Sequence, residues 1–150
     1  MISKKTKYAL KALDILADEY SSGWPVLIQE LAQRGKAPKK FLELILLELK
    51  NNGILQSKMG KGGGYFLAKN PGAINLGSVL RILEGPLAPL PCLSKTAYRK
   101  CDECVDENTC SVRMVMKNVY EAQLQILEHT TLQDMIETNH ALQGAETYVI

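Results

Sequence analysis

From Ser3 onward apolar positions recur every three or four residues, the period of a helix packed along one face. Tyr8, Ala9, Ala12, Leu13, Leu16, Ala17 and Tyr20 share a stripe, and Lys4, Lys7, Lys11 and Asp18 fall outside it. Ser3 is placed to cap this helix and the run SSGWP at 21–25 to end it. A shorter helix follows in VLIQELAQRG, with Ile28, Leu31 and Ala32 inward and Gly35 as its stop. Pro38, at a position suited to a first helical residue, opens a third helix, PKKFLELILLELKNNG. Its Phe41, Leu42, Ile45, Leu46 and Leu49 form the inward face. The pattern then changes. ILQSKMGKGGGYFLAKN reads as strand, glycine turn and strand. Two helices joined by a short Gly-containing turn make a helix-turn-helix, and a hairpin directly behind the second helix is a wing.

Helical spacing returns in INLGSVLRILEG at 74–85, with Leu76, Val79, Leu80 and Leu83 inward. PLAPLPC carries three prolines in six residues, which predicts a stiff, extended linker. After a polar loop, VRMVMKNVYEAQLQILEHT predicts a helix of about five turns, with Val112, Val115, Met116, Val119, Ala122, Leu124 and Ile126 apolar. Thr131 and Asp134 have the spacing of a capping box at the head of a last short helix, TLQDMIETN. The predicted fold is mainly α: a winged helix-turn-helix domain over 1–70, a cysteine loop and helices over 71–140, and a loose tail over 141–150.

At 150 residues and 46% hydrophobic content, the chain suits one compact domain with or without an extension. It has no apolar run of membrane-spanning length, and its N-terminus alternates apolar and charged residues where a signal peptide would be uninterrupted. These features predict a cytoplasmic protein with no membrane partner, in a compartment that keeps thiols reduced. The net charge of +2 hides an asymmetry: residues 1–70 carry 12 Lys/Arg against 6 Asp/Glu, and residues 71–150 carry 6 against 10. A basic N-terminal half suits a polyanion.

Lys36, Lys39, Lys40 and Glu43 lie near the start of the third helix, away from its apolar face. Helix-turn-helix proteins reach base edges and phosphates from that position. A merely solvated face would carry the same residues, and it is the attached wing that favours double-stranded DNA as the partner. Lys58 and Lys61 flank the wing glycines, with Gly62 and Gly63 allowing a close approach to a nucleic-acid backbone. GKGGG lacks the spacing and the following helix of a phosphate-binding P-loop. No nucleophile–base pairing or paired catalytic carboxylates are legible, so an enzyme is not expected. A winged domain that docks on a protein partner, as an adaptor, is the alternative of another class.

All four cysteines fall in CLSKTAYRKCDECVDENTC, spaced C-x8-C-x2-C-x5-C at Cys92, Cys101, Cys104 and Cys110. Structural zinc is usually held by two C-x-x-C knuckles, and only Cys101–Cys104 forms one. That pair could form a redox disulfide, but without a thioredoxin-like setting. An iron–sulfur cluster needs thiolates on a wrapping loop, and Lys95, Arg99 and Lys100 favour both thiolate and an anionic group. Spacing alone leaves iron–sulfur cluster, zinc and thiol switch open.

The winged N-terminus, the FLELILLEL helix, the GGGYFLA wing over Gly62–Ala68 and RKCDECVDENTCSVRMVM together resemble the IscR-like (Rrf-two) transcription regulators over about residues 1–138. The resemblance implies a homodimer joined by the helix at 111–128 and reading a pseudo-palindromic operator. It also implies a cysteine-bound cluster, typically 2Fe–2S and sometimes 4Fe–4S, that senses iron, nitric oxide or oxidants. It assigns Cys92, Cys104 and Cys110 to that cluster and gives Glu43 the place of a base-selecting residue. The family's fourth ligand is a His just after the last Cys or a carboxylate from the partner's first helix. This chain has only His129 and His140, and KTKYALKA at 5–12 holds no carboxylate, which makes Cys101 the natural fourth ligand. Met59 stands where many relatives carry an Arg that enters the minor groove.

Overall fold

The computed structural model describes residues 2–146. Helices α1 (Lys4–Asp18), α2 (Ile28–Arg34) and α3 (Lys39–Asn51) lead into an antiparallel hairpin of β1 (Leu55–Lys58) and β2 (Gly64–Leu67). Helices α4 (Leu76–Glu84), α5 (Ser111–His129) and α6 (Leu132–Glu146) follow, and single 3-10 turns cover Tyr20–Ser22, Pro71–Ala73, Pro91–Leu93 and Glu107–Thr109. The fold is mainly helical with a winged helix at its N-terminal end.

Hairpin register pairs Leu55 with Leu67 and Lys58 with Gly64. Val26, just ahead of α2, adds a one-residue third rung: its N–H donates to the Tyr65 carbonyl at 2.8 Å, and the Tyr65 N–H donates back at 2.9 Å. One bridging residue is too short to leave a period in the sequence. The left-handed turn after α2 falls on Lys36 (φ 50°), whereas Gly35 keeps a right-handed conformation and is buried. Pro38 is the N-cap of α3, one residue ahead of the expected position, and its carbonyl accepts from the Leu42 N–H at 2.9 Å.

Leu13, Leu31, Ile45, Leu46, Leu49 and Leu55 are sealed from solvent in a single core. Ile74, Val79 and Leu83 from around α4, and Leu132 from α6, belong to the same cluster, so the core is continuous across residue 70. Leu132 is carried there by a backbone bridge between Asn75 and Thr131. In it the Leu76 N–H donates to the Thr130 carbonyl at 2.8 Å, and the Leu132 N–H to the Ile74 carbonyl at 3.0 Å. The expected capping box is present: the Thr131 N–H donates to Asp134 Oδ2 at 2.8 Å and the Asp134 N–H to Thr131 Oγ1 at 3.1 Å. Contrary to the expected loose tail from 141, α6 runs on to Glu146, while residues 147–150 lie outside the described residues.

The start of α1 is tied to the end of α4. Ser3 caps α1, its Oγ accepting from the Thr6 N–H at 3.2 Å. Glu84 then accepts from the Ser3 N–H at 2.9 Å, from Ser3 Oγ at 2.7 Å and from the hydroxyl of the fully buried Thr6. These donors hold the Glu84 carboxyl at a pKa of about 2, well below its ordinary 4.5. Because the folded-state pKa is the lower one, the stabilisation is complete above the unfolded-state pKa and is lost as pH falls toward the folded-state value. Denaturant melts between pH 6 and 2 are expected to show this loss in the wild type and a flatter acid limb in Glu84→Gln. Thr6→Val, which removes one donor at constant shape, is expected to cost ~1 kcal/mol at neutral pH.

Candidate functional site

The exposed side of α3 follows from its periodicity. Leu42, Ile45, Leu46 and Leu49 are buried, which leaves Lys39, Lys40 and Glu43 exposed at the N-terminal end. Lys50 Nζ donates to Ser57 Oγ at 2.7 Å, joining the far end of α3 to the wing. Lys58, Met59, Gly60, Lys61 and Gly62 form the exposed wing tip, where Met59 is 90% exposed. The outer side of α3 and the wing tip leave exposed six of the residues expected from sequence: Lys39, Lys40, Glu43, Lys58, Lys61 and Gly62. Lys36 is placed differently. It lies in the turn before α3 and lines a cavity of about 420 Å³ with Asp14, Asp18 and His140.

The wing glycines divide by task. Gly60 and Gly62 have φ of +85° and +76° with open space around them, so they shape the tip and leave it accessible. Gly63 is buried, and a Cβ there would run into the Lys58 and Gly60 carbonyls. Gly64 has φ +143°, and a Cβ would overlap the Val26 carbonyl of the third rung. These two glycines hold the hairpin closed against α2's lead-in. The only hint of that task in sequence is the length of the glycine run.

The cysteine loop forms a second site beside the N-terminus of α5. Cys92 sits in the 3-10 turn Pro91–Leu93, and Cys101 and Cys104 close a turn in which the Cys104 N–H donates to the Cys101 carbonyl at 3.1 Å. Cys110 is the N-cap of α5, its Sγ accepting from the Arg113 N–H at 3.4 Å. All four thiols are unbridged and line one cavity of about 670 Å³. Cys92, Cys104 and Cys110 are half-buried; Cys101 is exposed and donates to Glu103 at 3.0 Å, a bond to carboxylate that raises its pKa. Arg113 lines the same cavity, and its buried Nε has no acceptor. Among the described residues no three His, Cys, Asp or Glu side chains are grouped to hold a single metal ion. Several thiols, a helix N-terminus and an arginine whose Nε lacks an acceptor, around one cavity, suit a sulfur-ligated anionic group larger than one ion.

Helix α5 has two faces. Arg113, Met116, Tyr120, Leu124 and Leu127 are half-buried, and Val112, Val115, Val119, Ala122 and Ile126 are exposed at alternating spacings of three and four. Near its C-terminal end Glu128 pairs with Arg81 of α4 and lies over Gly77, where a Cβ would come within 3.0 Å of the Glu128 carboxyl.

Comparison with known proteins adds lineage to this geometry. The profile of the Rrf2 proteins, described as "Iron-dependent Transcriptional regulator", matches residues 2–138. The chain belongs to the Rrf2 family. Its relatives include a Rhodobacter capsulatus protein named rrf2-like among HTH-type transcriptional regulators, 46% identical over 138 residues, 91% of this chain and 92% of that one. The HTH-type transcriptional regulator CymR of Bacillus subtilis is 29% identical over 99% of both chains. Its solved structure, titled as the global cysteine regulator of that organism, superposes with a TM-score of 0.77, covering 92% of this chain and 97% of that one. The T. potens IscR structure gives 0.75 at 28% identity, covering 95% of this chain and 90% of that one. The protein is an Rrf2-family transcriptional regulator, and these relatives are named as regulators and not as enzymes. No helix among the described residues is long and apolar enough to cross a membrane.

For this regulator, Gly64→Ala is expected to cost ~1–3 kcal/mol through the strained φ and the collision with Val26. The helical circular-dichroism signal should survive at low temperature. Gly62→Ala, with open space around it, carries only the strain of its φ and should melt closer to wild type.

Proposed function

We propose that this regulator is a homodimer that binds a specific, pseudo-palindromic DNA sequence and responds through an iron–sulfur cluster held by Cys92, Cys101, Cys104 and Cys110, 2Fe–2S ahead of 4Fe–4S. The observation that carries this reading is the placement of all four thiols around one cavity at the head of α5, with the Arg113 Nε lacking an acceptor beside them. A bound cluster supplies a centre whose charge and ligation change with redox state, iron supply or nitric oxide.

The other tasks fall to the chain itself. In the proposed division of labour, residues 1–70 contact DNA and 71–140 sense and dimerise. Lys39, Lys40 and Glu43 enter the major groove, and Lys58 and Lys61 neutralise phosphates at the wing, with Gly62 beside them allowing a close approach; Lys36, turned toward Asp14 and Asp18, is left out of this contact. Gly63 supports that approach by closing the hairpin. The exposed row Val112, Val115, Val119, Ala122 and Ile126 has the a/d spacing of a coiled-coil seam and packs on its counterpart in a second copy. Helix α5, 19 residues and so ~28 Å long, connects the thiols at one end to the Arg81–Glu128 pair at the other. A change in the loop is thereby passed to the winged unit as a change in the angle of a rod. A hundredfold change in DNA affinity needs only about 2.7 kcal/mol of difference between the two states.

The second reading keeps the fold and the DNA role but uses the thiols themselves as the switch. The exposed Cys101 thiol and the absence, among the described residues, of a grouped site for one ion favour it over zinc.

Iron, sulfide and zinc content with a visible spectrum, on protein purified without oxygen, separates the readings. Two irons and two sulfides per chain, lost in each single Cys→Ser variant, are expected. Zinc, or no metal, sinks the cluster and leaves the DNA role standing. For that role, Lys39→Ala/Lys40→Ala is expected to reduce the slope of log K against log salt by about 2. A slope unchanged from wild type would overturn the placement of α3 in the groove.

A further inference from the structure

Helix α3 turns Leu42, Ile45, Leu46 and Leu49 into the core, within an arc of about 100° at the helical repeat. Directly opposite runs the row Lys40, Leu44, Leu47 and Asn51, spaced four, three and four residues apart. Leu44 is 66% exposed and Leu47 48% exposed. A single exposed leucine is ordinary. This pair is different, because the two sit one turn apart at the centre of the outward face, on the same helix as Lys39, Lys40 and Lys50, the last of which is bonded to Ser57 of the hairpin.

An apolar strip beside cations matches a particular surface. The major groove of DNA has phosphates along its walls, and on its floor the only apolar group is the C5-methyl of thymine. A second protein surface would have to desolvate the same lysines without phosphates to pair them.

We propose that Leu44, with Leu47 a turn behind it, reads thymine by apolar contact with its C5-methyl, so that each operator half-site carries A·T pairs specified by a methyl group. This rests on the DNA-binding reading and adds to it the chemistry by which specificity is set. Glu43, on the flank of the same row, can accept from cytosine N4. Adjacent positions of one helix would then read a hydrogen-bond donor and a methyl group.

The test begins with duplexes selected from a random library by the full-length protein. In the selected consensus each thymine is replaced in turn by deoxyuridine, which removes the methyl and nothing else. Wild type is expected to lose about fourfold in affinity at one or two symmetry-related positions per half-site, the equivalent of ~0.8 kcal/mol for one buried methyl. Leu44→Ala should bind the thymine and deoxyuridine duplexes equally, and Leu44→Met should restore the preference. Leu44 is mostly exposed, so these variants should melt with wild type, and a melt confirms that they fold. Indifference of the wild type to every deoxyuridine, or a preference that survives in both Leu44→Ala and Leu47→Ala, overturns the proposal while leaving DNA binding intact. A shift of Leu44→Ala/Leu47→Ala from dimer to monomer in sedimentation, with the thymine preference unchanged, also overturns it and assigns the strip to a second copy. Failure to select any duplex overturns the DNA-binding reading itself, and this proposal with it.

Discussion

The arrangement of this molecule depends on the backbone bridge between Asn75 and Thr131. Two hydrogen bonds return the chain to the winged unit after the excursion through the cysteine loop and α5, and they set Leu132 into a core built mainly by α1 and α3. Sealing a leucine in that core is worth about 1.5–3 kcal/mol, enough to bias where α6 begins. Because α5 ends three residues before Leu132, the bridge also fixes the C-terminal end of α5. The Arg81–Glu128 pair, packed over Gly77, then limits its rotation. One end of α5 is therefore held by backbone bonds, burial and charge, and the other by a cysteine N-cap in a polar loop. In the proposed sensor such a rod is the mechanical link between the two sites.

Local pattern made most of the helices and the wing legible. Ser3, the Thr131–Asp134 box and the leucine spacing of α3 act within a few residues, and hydrophobic burial agrees with each of them. What could not be read depended on partners distant in sequence. Glu84 is an ordinary residue at the end of a short helix until α1 brings Ser3 and Thr6 to it. Val26 completes the sheet with a single residue, and Gly64 is required only because Val26 is there. Proximity in sequence groups Lys36 with the recognition helix, but its left-handed backbone turns it toward Asp14, Asp18 and α6. The stretch from 141 has weak amphipathic character, so its helix left little period to detect, yet contacts just before it, Asn139 with Asp14 and His140 with Asp18, hold α6 along α1.

The candidate sites divide the same way. Lys39, Lys40 and Glu43 were legible because a helix with one apolar face must expose the residues opposite. The helical period already leaves Leu44 and Leu47 off the inward face, but only the fold shows how far they stand in solvent, 66% and 48% exposed. For the cysteines, sequence supplied the clustering and the spacing. Only the fold shows that the last of them caps α5 and that the half-buried Arg113 lines the same cavity with its Nε lacking an acceptor.

The polar character of the cysteine loop then has a physical reason. Val105 is 96% exposed, and Ser94 is the buried residue that the loop between Cys92 and Cys110 contributes. Ordering each backbone residue costs about 1–2 kcal/mol, and scattered turns and Asx bonds offset little of that in a segment with no core of its own. Such a loop stays in one arrangement to the extent that something across its thiols holds it there, whether a cluster or a bond between sulfurs. An apolar loop would be ordered unconditionally and could report nothing. The thiols lie outside the core and the last of them caps the first turn of α5, so under the proposed sensing role the order of the loop is conditional while the winged unit remains folded. In the proposed sensor, loss of order is thereby confined to the one segment that α5 joins to the winged unit.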